Sequence, residues 1–161
     1  MQVLRYTLFG LVLACLFAGI VYWFNLGSQV RLNAEVVRVR TIATSESSAV
    51  LIAEVRIQNP ADVPFIIRSV TVTVTGADGA AVTGDPVAQS DLDRLLGYYA
   101  AEGPRYNETL KVKSKLVGRV RRDWTVPASF NLPKATIDAR RGLTIQIEDV
   151  DGVSVRVVSG S

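Results

Sequence analysis

A mainly β chain, built as an antiparallel immunoglobulin/fibronectin-III-like β-sandwich with two short helices and preceded by one transmembrane α-helix, is predicted by three observations. An uncharged, largely apolar run opens the sequence, from Tyr6 to Val30. Behind it come seven or so short segments in which apolar and polar residues alternate. Turn signals such as Asn59-Pro60, Asp78-Gly79 and Asp151-Gly152 separate them. The 161 residues divide accordingly into 1–27, a cytoplasmic tip with the membrane helix, and 28–161, one extracytoplasmic domain with one core.

Residues 7–26 span roughly 30 Å as a helix at about 1.5 Å per residue, which matches the hydrocarbon thickness of a bilayer. Arg5 and the α-amino group lie before this run, and Tyr22, Trp23 and Phe24 cluster where an interfacial aromatic belt would sit. A short tail ahead of a long folded domain favours a cytoplasmic N-terminus and a periplasmic or extracellular C-terminal domain. Two other readings compete. A cleaved signal peptide needs a small-x-small site, which Trp23-Phe24-Asn25-Leu26 does not supply. Val12-Leu13-Ala14-Cys15 resembles a bacterial lipobox with a lipidated cysteine, yet residues 16–24 stay apolar where a mature lipoprotein turns polar. Within the run, Gly10, Ala14 and Ala18 recur every four residues, a small-residue stripe along which another membrane protein or a second copy could approach. Glycine and alanine are also simply common in such helices.

Leu32, Ala34 and Val36 alternate on one face and Val37, Val39 and Thr41 on the other, so a bulge or a change of sheet is expected between Val36 and Val37. Ala49, Leu51, Ala53, Val55 and Ile57 form a clean period-two face, with Glu54, Arg56 and Gln58 opposite, as in a half-buried strand. A strand over 65–75 follows and turns at Asp78-Gly79. Leu92, Leu95, Leu96 and Tyr99 have helical spacing, with Ser90 placed as the cap and Gly103-Pro104 as the stop. Strands are expected over 109–116 and 118–126. Pro133 should open a second short helix, closed by Arg140, Arg141 and a C′ glycine, Gly142. Leu143, Ile145 and Ile147 should pair across Asp151-Gly152 with Val153, Val155 and Val157.

The stretch Val55-Arg56-Ile57-Gln58-Asn59-Pro60-Ala61-Asp62-Val63-Pro64-Phe65, followed by alternating valines, Asp78-Gly79 and Gly84, resembles the water-stress and hypersensitive-response domain of type 2 late-embryogenesis-abundant (LEA14-like) proteins. The resemblance covers about thirty residues. It implies a fibronectin-III-like sandwich, often behind a membrane anchor, with a non-enzymatic protective or binding role.

The chemistry available is narrow. There is no histidine, and the one cysteine, Cys15, lies in the apolar run, so disulfides within the domain, Cys/His zinc sites and His-dependent triads are excluded. A net charge of +3 is too mild to imply nucleic acid. No cofactor, metal or catalytic residue is expected. Lys111, Lys113, Lys115, Arg119, Arg121 and Arg122 form the one functional-looking surface: lysines at alternate strand positions share a face and could meet anionic lipid or an acidic polymer, or simply guard an exposed strand edge. Asn59-Pro60-Ala61-Asp62 reads as a structural turn, and Glu148-Asp149-Val150-Asp151-Gly152 as a hairpin rather than a calcium loop. The expected function is a membrane-tethered, non-enzymatic module for binding or envelope protection. The alternative is an accessory subunit held to a larger membrane complex through its helix.

Overall fold

The computed structural model describes the backbone of residues 2–26 and 32–160, and side chains over 10–22 and 32–159. Helix α1 occupies Gln2–Leu26. Its described side chains, residues 10–22, are all exposed, Gly10, Ala14, Cys15 and Ala18 among them. Among the described residues no helix is long and apolar enough to cross a membrane. The side chains of Arg5, Trp23, Phe24 and Arg31, which bear on orientation, lie outside the described residues.

Among the described residues eight strands follow: β1 (Asn33–Ala43), β2 (Ala49–Gln58), β3 (Phe65–Thr75), β4 (Ala81–Pro86), β5 (Lys115–Leu116), β6 (Arg121–Phe130), β7 (Gly142–Asp149) and β8 (Ser154–Gly160). Helices α2 (Gln89–Tyr98) and α3 (Lys134–Asp138) and a 3-10 turn at Ala100–Glu102 lie between them. The strands pair antiparallel in the order β1-β2-β6-β4-β3-β7-β8, with β5 beside β3. Strand β4 is the joint. It pairs with β3 along its first residues and with β6 through Asp85 and Pro86. Strands β1 and β8, at the two ends of the order, come into contact, so the sheet curls barrel-like around its core. Leu51, Val55 and Ile57 of β2 meet Phe65, Ile67, Ile145, Ile147 and Phe130 there, all at most 2% exposed. Each such side chain contributes about 1.5–3 kcal/mol by leaving water.

The period-two segments fold as expected, including the bulge, which the β1–β2 register places between Val36 and Arg38. Gly79 and Gly152 hold the two hairpins at φ 87° and 82°, where a side chain would be strained. Five expectations need correction. Strand β2 is not half-buried: on its second face Val50 and Ile52 are covered by α2, which packs Leu92 and Leu96 onto them and Ile42, and Glu54 is covered beside Asn107. Ser90 lies inside α2, whose N-cap is Ala88 without a side-chain bond. The strand expected over 109–116 is interrupted by a turn, with Ser114 N bonding Lys111 O and Lys113 at φ 70°; Thr109 makes an isolated parallel bridge to Thr125, and Lys115–Leu116 pairs with Phe65 and Ile66. The next strand begins at Arg121, because Gly118 and Arg119, the latter at φ 59°, still turn. Finally, Pro133 caps α3 rather than opening it, and Gly142 is the first residue of β7, not a C′ glycine; Arg140 Nη1 does bond Ile137 O at the helix end.

This topology gives the domain two unlike ends. One holds the chain's entry at Asn33, the β2–β3 turn 59–64, the turn 117–120 and the β7–β8 turn. The other holds the β1–β2 turn 44–48, the β3–β4 turn and α3.

Candidate functional site

Every second residue of β1, β2 and β6 faces away from the core, and the register stacks these residues in rows of three. The rows Ile42/Val50/Ser129 and Arg40/Ile52/Pro127 lie under α2. Next comes Arg38/Glu54/Thr125, then Glu35/Arg56/Asp123, and last Asn33/Gln58/Arg121 beside the chain's entry. The face thus grades from apolar and covered to charged and open.

Its middle row lies beneath a crossing segment, residues 102–109. Arg40 of β1 holds the start of that segment through Nη1 to Glu102 O at 2.7 Å and Nη2 to Pro104 O at 2.9 Å. The Tyr106 ring sits against the guanidinium groups of Arg38 and Arg40, 5.3 and 5.2 Å from its centroid. Arg105 bonds Asp93 of α2 at 2.9 Å. Underneath, the Glu54 carboxylate is 5% exposed and accepts from Asn107 Nδ2 at 2.7 Å and from Thr125 Oγ1 at 3.0 Å. A buried carboxylate is tolerated only with such donors. Glu54→Leu is therefore expected to cost about 2 kcal/mol, by leaving Asn107 Nδ2 without its acceptor, while Thr125 Oγ1 still has Asn107 O at 3.1 Å, and to raise hydrogen exchange selectively over residues 102–109. Unchanged exchange there would show that Glu54 does not hold the segment.

Beyond the crossing segment the charged rows surround two shallow depressions. Arg56 forks onto Asp123 with Nε–Oδ1 at 2.7 Å and Nη2–Oδ2 at 3.0 Å, and Glu35 lies 3.6 Å from its Nη1. Arg121 reaches the same Glu35 carboxylate at 2.8 Å. Hydrogen bonding to Arg56 holds the Asp123 carboxyl below its ordinary value, against a smaller opposing effect of burial. A depressed carboxyl stabilises the fold above its unfolded pKa of about 3.9, and that contribution disappears as pH falls through the lower folded value. The melting temperature of Asp123→Asn should accordingly lie below that of the parent at neutral pH and converge with it in acid. A constant gap across the titration would show that the carboxylate charge is not what matters.

The six basic residues singled out from sequence do not share a face. Lys111 and Lys113 lie on the turn before β5, and Lys115 lies on β5 itself. The three arginines are already engaged: Arg119 with Asp62 at 3.0 Å, Arg121 with Glu35, and Arg122 with Glu108 at 3.0 Å while stacked on Trp124. Among the described residues no ion pair involves Lys111, Lys113 or Lys115. The stripe thus reduces to three free lysines. Asn59, by contrast, is 1% exposed, and its whole amide is used, on Ala61 N and Val63 O of its own turn and on Leu116 O of β5. Sequence reasoning misses the outer-face network: only the alternation of Glu54 and Arg56 points to it, and alternation by itself implies solvent.

No family model matches the chain, and no curated relative matches it. Two solved structures are similar in outline. A candidate lipoprotein of Bacillus subtilis, YcdA, is 12% identical with a TM-score of 0.49; the match covers 83% of this chain, which spans 37% of that protein's length. The archaellum periplasmic stator protein FlaG of Sulfolobus acidocaldarius is also 12% identical, with a TM-score of 0.39 over 80% of this chain and 99% of that one. Likenesses this distant carry no argument about function.

Proposed function

We propose that this protein is a single-pass, membrane-tethered β-sandwich module with a non-enzymatic role in binding or envelope protection, its domain lying in the periplasm or outside the cell. The observation that carries the reading lies in the sequence: the run from Tyr6 to Val30 is uncharged and largely apolar, and α1 takes up most of it. Leu13, Leu16, Phe17 and Ile20 of that run are exposed and have no place in water, and a bilayer supplies the missing apolar surroundings. The strand order supports the immunoglobulin-like assignment: β8-β7-β3-β4 runs in the G-F-C-C′ sense and β1-β2-β6 in the A-B-E sense. The LEA14-like pattern around Asn59 agrees with a binding or protective role.

Alkaline carbonate extraction tests the tether: the native chain should stay in the membrane pellet, and recovery in the soluble fraction would end the reading. The second reading is an accessory subunit bound through the Gly10, Ala14 and Ala18 face. It is motivated by the recurrence of small residues at every fourth position along the helix. Purification in mild detergent separates the two, since a subunit brings stoichiometric membrane partners and a tethered module comes alone.

A further inference from the structure

Large apolar side chains left in water are ordinary when scattered and informative when gathered. Outside α1, nine are exposed among the described residues. Four are dispersed: Val37, Tyr98, Tyr106 and Val158. The other five are valines, Val63, Val112, Val117, Val120 and Val150, each between 49% and 61% exposed.

Those five share one end of the domain. Val63 lies on the β2–β3 turn, Val117 and Val120 flank the turn between β5 and β6, and Val150 begins the β7–β8 turn. Backbone bonds tie these turns together: Arg119 N donates to Asn59 O at 2.7 Å and Val150 N to Ile66 O at 3.1 Å. Val112 sits on the adjoining turn, where Lys113 N bonds Ile67 O near the start of β3. The opposite end is different in kind. Its β1–β2 turn reads Thr44-Ser45-Glu46-Ser47-Ser48 and its β3–β4 turn Gly76-Ala77-Asp78-Gly79-Ala80, with no large apolar residue in either.

The valine-bearing end is also where α1 is attached. Seven peptide steps separate Leu26 from Asn33, so this end lies within about 25 Å of the helix terminus even if the link is fully extended. Interleaved with the valines are Lys111, Lys113 and Lys115, free of carboxylate partners. Aliphatic tips among unpaired cations match the phosphate-and-acyl boundary of an anionic bilayer. A protein partner would more often be met by aromatic residues, and this end has none among its valines.

We propose that this end of the β-domain seats on the headgroup layer of the bilayer that holds α1, the valines entering it and the three lysines facing lipid phosphate. The proposal rests on the tethered reading above. Its consequence is a fixed orientation: the polar end and the outer face of β1, β2 and β6 are presented away from or beside the membrane instead of tumbling on a free link. Because the tether confines the domain to a thin layer, contacts too weak to bind a free protein are sufficient.

The test uses the full-length chain carrying Cys15→Ala, reconstituted in phosphatidylcholine vesicles with or without phosphatidylglycerol. Single cysteines placed at Phe17, Val63, Val117, Val150 and Val158 carry a nitroxide label, and its accessibility to oxygen and to a water-soluble nickel complex is read by electron paramagnetic resonance. With phosphatidylglycerol, the oxygen-to-nickel ratio at positions 63, 117 and 150 should exceed that at 158 several-fold. Replacing Lys111, Lys113 and Lys115 with serine should bring the ratios at 63, 117 and 150 down toward the value at 158. If position 17 reports lipid while 63, 117 and 150 match 158, the docking proposal fails and the tether stands. A water-like signal at position 17 would sink the tethered reading and this one with it. Labels at 63, 117 and 150 shielded from both reagents would mean that protein covers this end, which also overturns the proposal.

Discussion

Replacing Asn59 with aspartate is expected to destabilise the domain by about 3 kcal/mol or more, although the two side chains have nearly the same shape. The reason is polarity. Asn59 Nδ2 donates to Val63 O at 2.8 Å and to Leu116 O at 3.0 Å, while Oδ1 accepts from Ala61 N at 3.0 Å. An ionised carboxylate keeps only the last of these bonds and sets negative charge against two carbonyls in a site that is 1% exposed. Leu116 O belongs to β5, so the loss reaches past the turn to the point where β5 joins β3. Asn59→Ala removes all three bonds yet introduces no charge, and it should cost no more than Asn59→Asp at neutral pH. Acidification should then rescue Asn59→Asp in part, since a protonated carboxyl donates one bond. Chemical denaturation of both variants at pH 7 and in acid checks this; an aspartate variant as stable as the parent would show that the amide's donors are dispensable.

That turn is legible in the sequence because Asn-Pro carries a local mechanism, and the amide's third partner on Leu116 is not, being 57 residues away. The same division runs through the molecule. Alternation with a two-residue period locates β1, β2, β3, β7 and β8 and even the bulge after Val36, because each pattern is written in one segment. The stretch between β4 and β6 misleads for a physical reason. Lys111, Lys113 and Lys115 alternate as a strand does, yet Lys113 and Arg119 adopt positive φ, a conformation that neither lysine nor arginine advertises. Glu54 shows the complementary limit. Its alternation implies solvent, but α2 and residues 102–109 fold back over β2 and bring Asn107 to it across 53 positions. The ion pairs that disassemble the basic stripe are equally remote, Glu35 reaching Arg121 across 86 residues.

Gly118→Ala carries the second large effect, and here the argument is steric. A Cβ at this position would lie 2.9 Å from both the carbonyl carbon and oxygen of Asp62 and would press still harder on Ala61 O. These are backbone atoms, and they cannot yield cheaply. Asn59 pins their turn from inside, and Arg119 N, the next amide along, bonds Asn59 O at 2.7 Å. Overpacking of this kind costs about 2–3 kcal/mol. It should also separate the 59–64 and 117–120 turns, loosening the end of the domain that carries Val63 and Val120. Gly97→Ala is the matched control. That glycine lies within α2, and an added Cβ there would meet nothing within 4 Å, so alanine should add about 0.5–1 kcal/mol through helix propensity and a less free unfolded chain. Opposite signs for one added methyl are the discriminating result. Equal effects would mean that the close approach of residues 61, 62 and 118 is not maintained in solution, and with it the joined turns on which the seating at the bilayer depends.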